Sequence, residues 1–143
     1  MSRPVKFTPL PALRYPVKSA PSAIEGTGVF AAANIPARAK IGEVTGELIS
    51  VSTARKRARA LCRMCLIDLS DTVALDCTKG NALRHLNHSC RPNAFLRIIR
   101  NRVEVYARSN IKSGEELTVD YGESPHSGGM KCRCGHKDCR DRI

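Results

Sequence analysis

Three cysteines fall within eight residues near the C-terminus, in Cys132-Arg133-Cys134-Gly135-His136-Lys137-Asp138-Cys139, at a spacing that suits a metal better than a disulfide framework. Thiolates are preferred donors of tetrahedral zinc, and a closed structural site needs four ligands. Cys90 is the best candidate for the fourth. His136 is the substitute ligand, although it lies inside the loop between Cys134 and Cys139. Cys90 itself belongs to a dense polar stretch, Arg84-His85-Leu86-Asn87-His88-Ser89-Cys90-Arg91-Pro92-Asn93, which gathers imidazole, amide, hydroxyl and thiol groups. Pro92 has no backbone donor and restricts Arg91 to extended conformations. Alone, Asn-His-Ser describes a surface turn, because these side chains bond nearby backbone. Zinc shared between Cys90 and the C-terminal three would instead pin the tail against the Asn87-His88 loop and make the two stretches one site.

Taken in order, four motifs resemble one family. Glu25-Gly26-Thr27-Gly28-Val29-Phe30-Ala31 is similar to the glycine-containing cofactor strand of SET-domain protein methyltransferases. Arg84–Asn93 resembles their signature loop, and Gly114-Glu115-Glu116-Leu117-Thr118-Val119-Asp120-Tyr121-Gly122 their second signature. The terminal C-x-C-x4-C is similar to their post-SET zinc motif. The resemblance implies a fold of small curved sheets, with a knot-like crossing where the C-terminal segment passes under a loop near the Asn-His signature. It divides the chain into a SET domain over 21–125 and a post-SET zinc segment over 126–143, behind an extended, Pro-rich basic arm over 1–20.

The activity so implied is S-adenosylmethionine-dependent methylation of a protein lysine, on a histone tail or another basic protein. Methyl transfer from a sulfonium to an amine needs a neutral amine, an in-line approach and exclusion of water, so positioning supplies most of the catalysis. No acid–base dyad is required. By resemblance, backbone around Gly26, Gly28 and Phe30 lies against S-adenosylmethionine, where glycine permits close approach. Asn87 and His88 contact the cofactor's amino acid and adenine portions, with Arg84 beside them. Tyr121 matches the catalytic tyrosine that orients the amine and methyl group, although an isolated Asp-Tyr-Gly reads as a buried structural tyrosine. Two positions depart from the family. Val119 stands where Phe or Tyr usually lines the lysine channel, which leaves more room and the degree of methylation open. Cys65 stands where a tyrosine is usual. Zinc at Cys90, Cys132, Cys134 and Cys139 would be structural.

Composition sets the bounds. The chain has 143 residues, 42% of them hydrophobic, which fits one globular domain small enough to gain from a metal staple. No apolar run is long enough for a membrane helix, and the N-terminus lacks the apolar region of a secretory signal. Seven cysteines cannot all pair within one chain, so the environment read from them is reducing and intracellular. That means nucleus or chromatin for a eukaryotic protein, and the cytoplasm or a host cell for a bacterial or viral one. Cys62, Cys65 and Cys77 then read as ordinary buried thiols.

The net charge of +11 is concentrated in residues 1–24, 54–63 and 131–143. Such patches suit nucleic acid or are simply solvated faces. No aromatic residue is interleaved with the central basic run, which argues against base stacking. A basic histone tail would need local acidity, for which Glu115, Glu116, Asp120 and Glu123 are available. Two rivals follow: a catalytically weak SET-like module that binds nucleic acid or protein through its basic patches, and a small zinc-binding interaction protein without cofactor.

The positioning elements read as mainly β. Val29–Pro36 leads to a turn at Pro36–Ala39, and Ile41–Ile49 alternates as a strand. Ser52 or Thr53 caps a basic helix running to about Met64. Leu66–Leu69 and Val73–Asp76 form a hairpin, as do Phe95–Ile99 and Val103–Ala107 around Arg100-Asn101-Arg102. Asn81–Leu86 is a helical turn, and Leu117–Tyr121 a last strand.

Overall fold

The computed structural model describes residues 12–60 and 65–120. In chain order its strands are β1 (Val17–Pro21), β2 (Thr27–Ala31), β3 (Lys40–Val44) and β4 (Glu47–Ser50), followed by helix α1 (Val51–Ala60). Then come β5 (Leu66–Asp68), β6 (Val73–Asp76), a 3-10 turn (Ala82–His85), β7 (Asn87–His88), β8 (Ala94–Ile99), β9 (Arg102–Ala107) and β10 (Thr118–Val119). They make four small sheets, ordered β1-β2, β3-β9-β8, β4-β6-β5 and β10-β7. The mainly β expectation holds. Tyr121, Glu123, Cys132, Cys134, Cys139, the segment 126–143, the knot-like crossing, Cys62 and the predicted helix end at Met64 lie outside the described residues.

Both predicted hairpins form. β8 and β9 pair from Ala94↔Ala107 to Ile99↔Arg102, and Arg100 and Asn101 turn the corner with φ of 51° and 61°. Two successive left-handed residues give a turn whose twist matches the flanking strands. β5 pairs with β6 from Leu66↔Asp76 to Asp68↔Ala74.

Three boundaries differ from the sequence reading. The arm is not separate through residue 20, because β1 pairs along β2 from Val17↔Ala31 to Pro21↔Thr27, and Leu13 bridges Gly42. The folded part therefore begins before Pro21. Ile41–Ile49 is two strands in two sheets, since β3 pairs with β9 and β4 with β6. Between them the Thr45 hydroxyl accepts the Asn81 amide at 2.8 Å, which anchors the crossover. The helix starts earlier than Ser52: Ser50 Oγ accepts the Thr53 amide at 3.0 Å, satisfying one of the donors left open in a first turn.

The core gathers one face of nearly every strand. Val29, Ile35, Ile41, Leu83, Val103, Val105, Ile111, Leu117 and Val119 are buried in one cluster. Helix α1 contributes little apolar burial, with Ala54 its one buried residue. It is held instead by Arg57, whose Nη1 donates to Asp76 at 2.7 Å and Glu47 at 3.0 Å. Asp76 would be pushed up by its burial, but hydrogen bonds from Thr78 and Arg57 hold it below the usual range.

Across the outer face of β3 and β9, Lys40 Nζ donates to Glu43 at 2.8 Å and Glu104 at 3.0 Å. Arg102 pairs with Glu43 from the other side. The Arg102 hydrogen bond lowers Glu43 from an ordinary 4.5 to about 2, against burial and with help from Lys40. A carboxylate whose folded value is depressed stabilises the fold above its unfolded value and loses that contribution as pH falls. The melting temperature of the wild type should therefore drop between pH 4.5 and about 2 in part through Glu43. In Glu43→Gln that part of the slope is absent, as thermal melts across this window would reveal.

Candidate functional site

Glycine, amide, hydroxyl and carboxylate groups from three segments converge at one end of β2. The chain enters β2 through a turn closed by Ser22 N to Gly26 O at 2.8 Å, with Gly26 at φ 42°. Residues 114–117 run beside the strand: Gly114 N bonds Ala31 O, Ala31 N bonds Glu115 O, and Leu117 N bonds Val29 O, at 2.7, 2.9 and 2.8 Å. Phe30 bridges Glu116 in the same run. The second signature is thus aligned with the candidate cofactor strand by backbone alone.

The first signature joins them through β7. β7 and β10 pair in parallel, Thr118 opposite Asn87 and Val119 opposite His88. Ser89 N then bonds Val119 O at 3.0 Å. Asn93 clamps the returning chain, accepting Thr118 N at 2.9 Å and donating to Glu116 O at 2.9 Å. The two motifs, far apart in sequence, are neighbours here. Tyr121 follows Asp120 directly in the chain.

Asn87 is buried, and its Nδ2 is the hub of the cluster. It lies 3.0 Å from Glu116 Oε2, 3.1 Å from Glu25 O, 3.2 Å from Ser22 Oγ and 3.4 Å from Thr27 O. Two amide hydrogens are shared among these four acceptors. Ser22 Oγ also lies 2.9 and 2.8 Å from the two Glu116 oxygens, and accepts the Ile24 amide at 2.9 Å. Glycine at position 28 leaves room for this cluster: a Cβ there would stand 2.3 Å from Glu116 Oε2 and would push that carboxylate from its place. Ser22, Glu116 and Asn93 thus extend the predicted set. Asn93 and Glu116 stand in motifs already singled out, whereas Ser22 sits just past the predicted end of the arm with nothing to distinguish it.

Of the other predicted residues, Arg84 uses its guanidinium locally, Nη1 donating to Gly80 O at 2.7 Å and reaching Asn81 O at 3.4 Å. It holds the turn that delivers Asn87. His85, beside it, is kept below the usual imidazole range by burial and then by the Arg84 charge. His88 is buried, with Nε2 3.4 Å from Cys90 Sγ and Nδ1 3.7 Å from Asp120 Oδ1. Cys90 is half-buried at the end of the loop, a thiol beside an imidazole, and both are zinc-compatible donors. No group of three metal-binding side chains occurs among the described residues.

Val119 is buried in β10, and Cys65 packs against the core. Cys65 and Cys77 are not the free thiols expected from the sequence. They are joined by a disulfide, with Cα atoms 5.1 Å apart. Antiparallel pairing brings them together, since Leu66↔Asp76 is the neighbouring register pair, and a spacing of twelve residues alone gives no sign of it. The central basic run is partly neutralised: Arg57 bonds Glu47 and Asp76, and Arg55 lies 3.9 Å from Asp68. Lys56 and Arg59 are exposed, with no acidic partner among the described residues.

Comparison with known proteins follows the same residues. The SET domain family model matches 26–122. The chain is 35% identical over 149 aligned positions to the histone-lysine N-methyltransferase, H3 lysine-4 specific, of Schizosaccharomyces pombe, covering 97% of this chain and 16% of that protein. It is 35% identical to histone-lysine N-methyltransferase trithorax of Drosophila virilis, over 85% of this chain and 3% of that one. Among solved structures, a chain of apo ctPRC2 with mutations in Ezh2 superposes with a TM-score of 0.70 at 33% identity, covering 76% of this chain and 15% of its own.

Proposed function

Because the chain belongs to the SET domain family, we propose that it is an S-adenosylmethionine-dependent protein-lysine methyltransferase acting on a histone. The relatives named above are histone-lysine N-methyltransferases, and this chain spans only a small part of their length. The observation that carries the reading is the parallel pairing of β7 with β10, which sets the Asn87-His88 loop against the strand leading to Tyr121.

In this reading the residues divide the work. S-Adenosylmethionine supplies the methyl group from a sulfonium, whose sulfur would leave as a neutral thioether. Gly26, Gly28 and Phe30 offer backbone to it, while Asn87, held by Ser22 and Glu116, fixes the entry to that strand and contacts the amino acid end. His88 meets the adenine portion, and Arg84 keeps the preceding turn closed. Tyr121 orients the lysine amine, and Cys65 and Val119 line its channel. Cys90 with Cys132, Cys134 and Cys139 holds a structural zinc that seats the tail beside the loop. The corresponding compartment is the nucleus, with chromatin as the setting.

The test is incubation of zinc-replete protein with radiolabelled S-adenosylmethionine and a panel of histones and other basic proteins, with label located by mass spectrometry. Label on a histone lysine that falls by about tenfold or more in Tyr121→Phe is expected. Cofactor bound without any label would favour the rival, a binding module. For that reading the specific observation is the exposed pair Lys56 and Arg59 on α1, suited to nucleic-acid phosphate. Lack of cofactor binding in zinc-replete protein would sink both.

A further inference from the structure

We propose that Cys65 and Cys77 are a reversible oxidation site, a dithiol whose closure to a disulfide moves one wall of the lysine channel. The part concerning the channel rests on the methyltransferase reading above; the oxidation site itself does not. The bond closes a hairpin that the β5–β6 ladder has already closed, with Cys77 N donating to Cys65 O at 2.8 Å just beyond the Leu66↔Asp76 pair. It is not needed to define the fold there. The same chain carries three cysteines at metal spacing, which bind metal only as reduced thiolates. In surroundings that keep those thiols reduced, a disulfide between two others is conditional, and such bonds are characteristic of redox sensing.

The two sulfurs are unequal. Cys77 is wholly buried, whereas Cys65 is partly exposed. The Cys77 backbone is also fixed, its carbonyl bonded by the Gly80 amide at 2.9 Å. On reduction the sulfurs must part from bonding distance to van der Waals contact, about 1.5 Å or more. Cys77, wholly buried, has less room than the partly exposed Cys65, so Cys65 takes up most of the movement. Cys65 Sγ lies 3.7 Å from Arg84 O in the 3-10 turn that delivers Asn87, so its displacement is felt between the channel position and the signature loop.

With a small-molecule disulfide as oxidant the chemistry balances. The Cys65 thiolate attacks one sulfur of oxidised glutathione, forming a mixed disulfide and releasing one glutathione thiolate. The Cys77 thiolate then attacks the Cys65 sulfur and releases the second. Two protein thiols lose two electrons and two protons, and one glutathione disulfide becomes two thiols.

The full chain, zinc-replete, is equilibrated with reduced or oxidised glutathione, alkylated and digested. Cys65 and Cys77 share the tryptic peptide 64–79, so closure removes two hydrogens from it, and cleavage at Asp68 or Asp71 leaves halves joined only through sulfur. The expected result is a Cys65–Cys77 bond with oxidised glutathione that opens with reduced glutathione, after which maleimide labels Cys65 about tenfold faster than Cys77. Methyl transfer should differ between the two states by about tenfold, with a smaller change in cofactor affinity, and Cys65→Ser should remove that difference. Thiols that both remain alkylatable under oxidised glutathione, a bond to Cys62 instead, or a bond that persists in reduced glutathione each overturn the oxidation site. A reversible bond with equal methylation in both states overturns its link to the channel. A reversible bond in a protein that methylates nothing upholds the site and counts against the methyltransferase.

Discussion

Asn87→Ala should lower methyl transfer about a hundredfold, chiefly through the cofactor. One amide nitrogen holds the Glu25 and Thr27 carbonyls, Ser22 and Glu116 together. Those carbonyls belong to the turn that presents Gly26 and Gly28, so losing the amide frees the backbone the cofactor would lie against. Alanine also leaves a partly buried carboxylate and two carbonyls short of a donor, a cost of about 1–3 kcal/mol. Calorimetry with S-adenosylmethionine, thermal melting and turnover at saturating cofactor separate the two effects. Affinity should fall by more than the loss of stability explains, and excess cofactor should restore part of the rate. Asn87→Asp should be worse still, because it sets a second carboxylate against Glu116. A variant that melts early but binds cofactor normally would reduce Asn87 to a tether.

How far the sequence disclosed this site depends on the range of each interaction. The β5–β6 and β8–β9 hairpins are short-range and patterned, and alternation with turn residues was enough to locate them. Asn87, Asn93 and Glu116 were all within reach, because each stands in a motif singled out from the sequence, although their meeting follows only from the pairing of β7 with β10. Ser22 was not. A serine after Pro21 carries no local mark, and its partners lie 65 and 94 positions away. The division of Ile41–Ile49 was hidden for a related reason: both halves alternate, and only their pairing with β9 and β6 separates them. The cap at Ser50 was missed because three residues able to cap, Ser50, Ser52 and Thr53, compete within four positions.

Gly80→Ala should destabilise the protein by about 3 kcal/mol, the upper end of what forcing atoms into a packed site usually costs. A Cβ at position 80 would stand 2.0 Å from Thr45 O and 3.2 Å from Cys77 O. Both are backbone atoms, so no side chain can swing aside. Thr45 is fixed from the other direction by Asn81, whose amide donates to the Thr45 hydroxyl and whose Nδ2 donates to Glu43 O, each at 2.8 Å. The methyl group therefore drives the β3–β4 crossover away from the loop that starts the 3-10 turn. Gly80 O also accepts Arg84 Nη1 at 2.7 Å, so the same displacement loosens the turn that delivers Asn87. Thermal melting should fall by roughly 10 °C, with weakened cofactor binding in the folded fraction. The exposed neighbour Lys79→Ala controls for loop composition and should stay within about 0.5 kcal/mol of wild type. If the two variants melt alike, the Thr45–Gly80 approach yields to a methyl group, and the loop is a flexible connection instead of the rigid support the signature histidine and asparagine require.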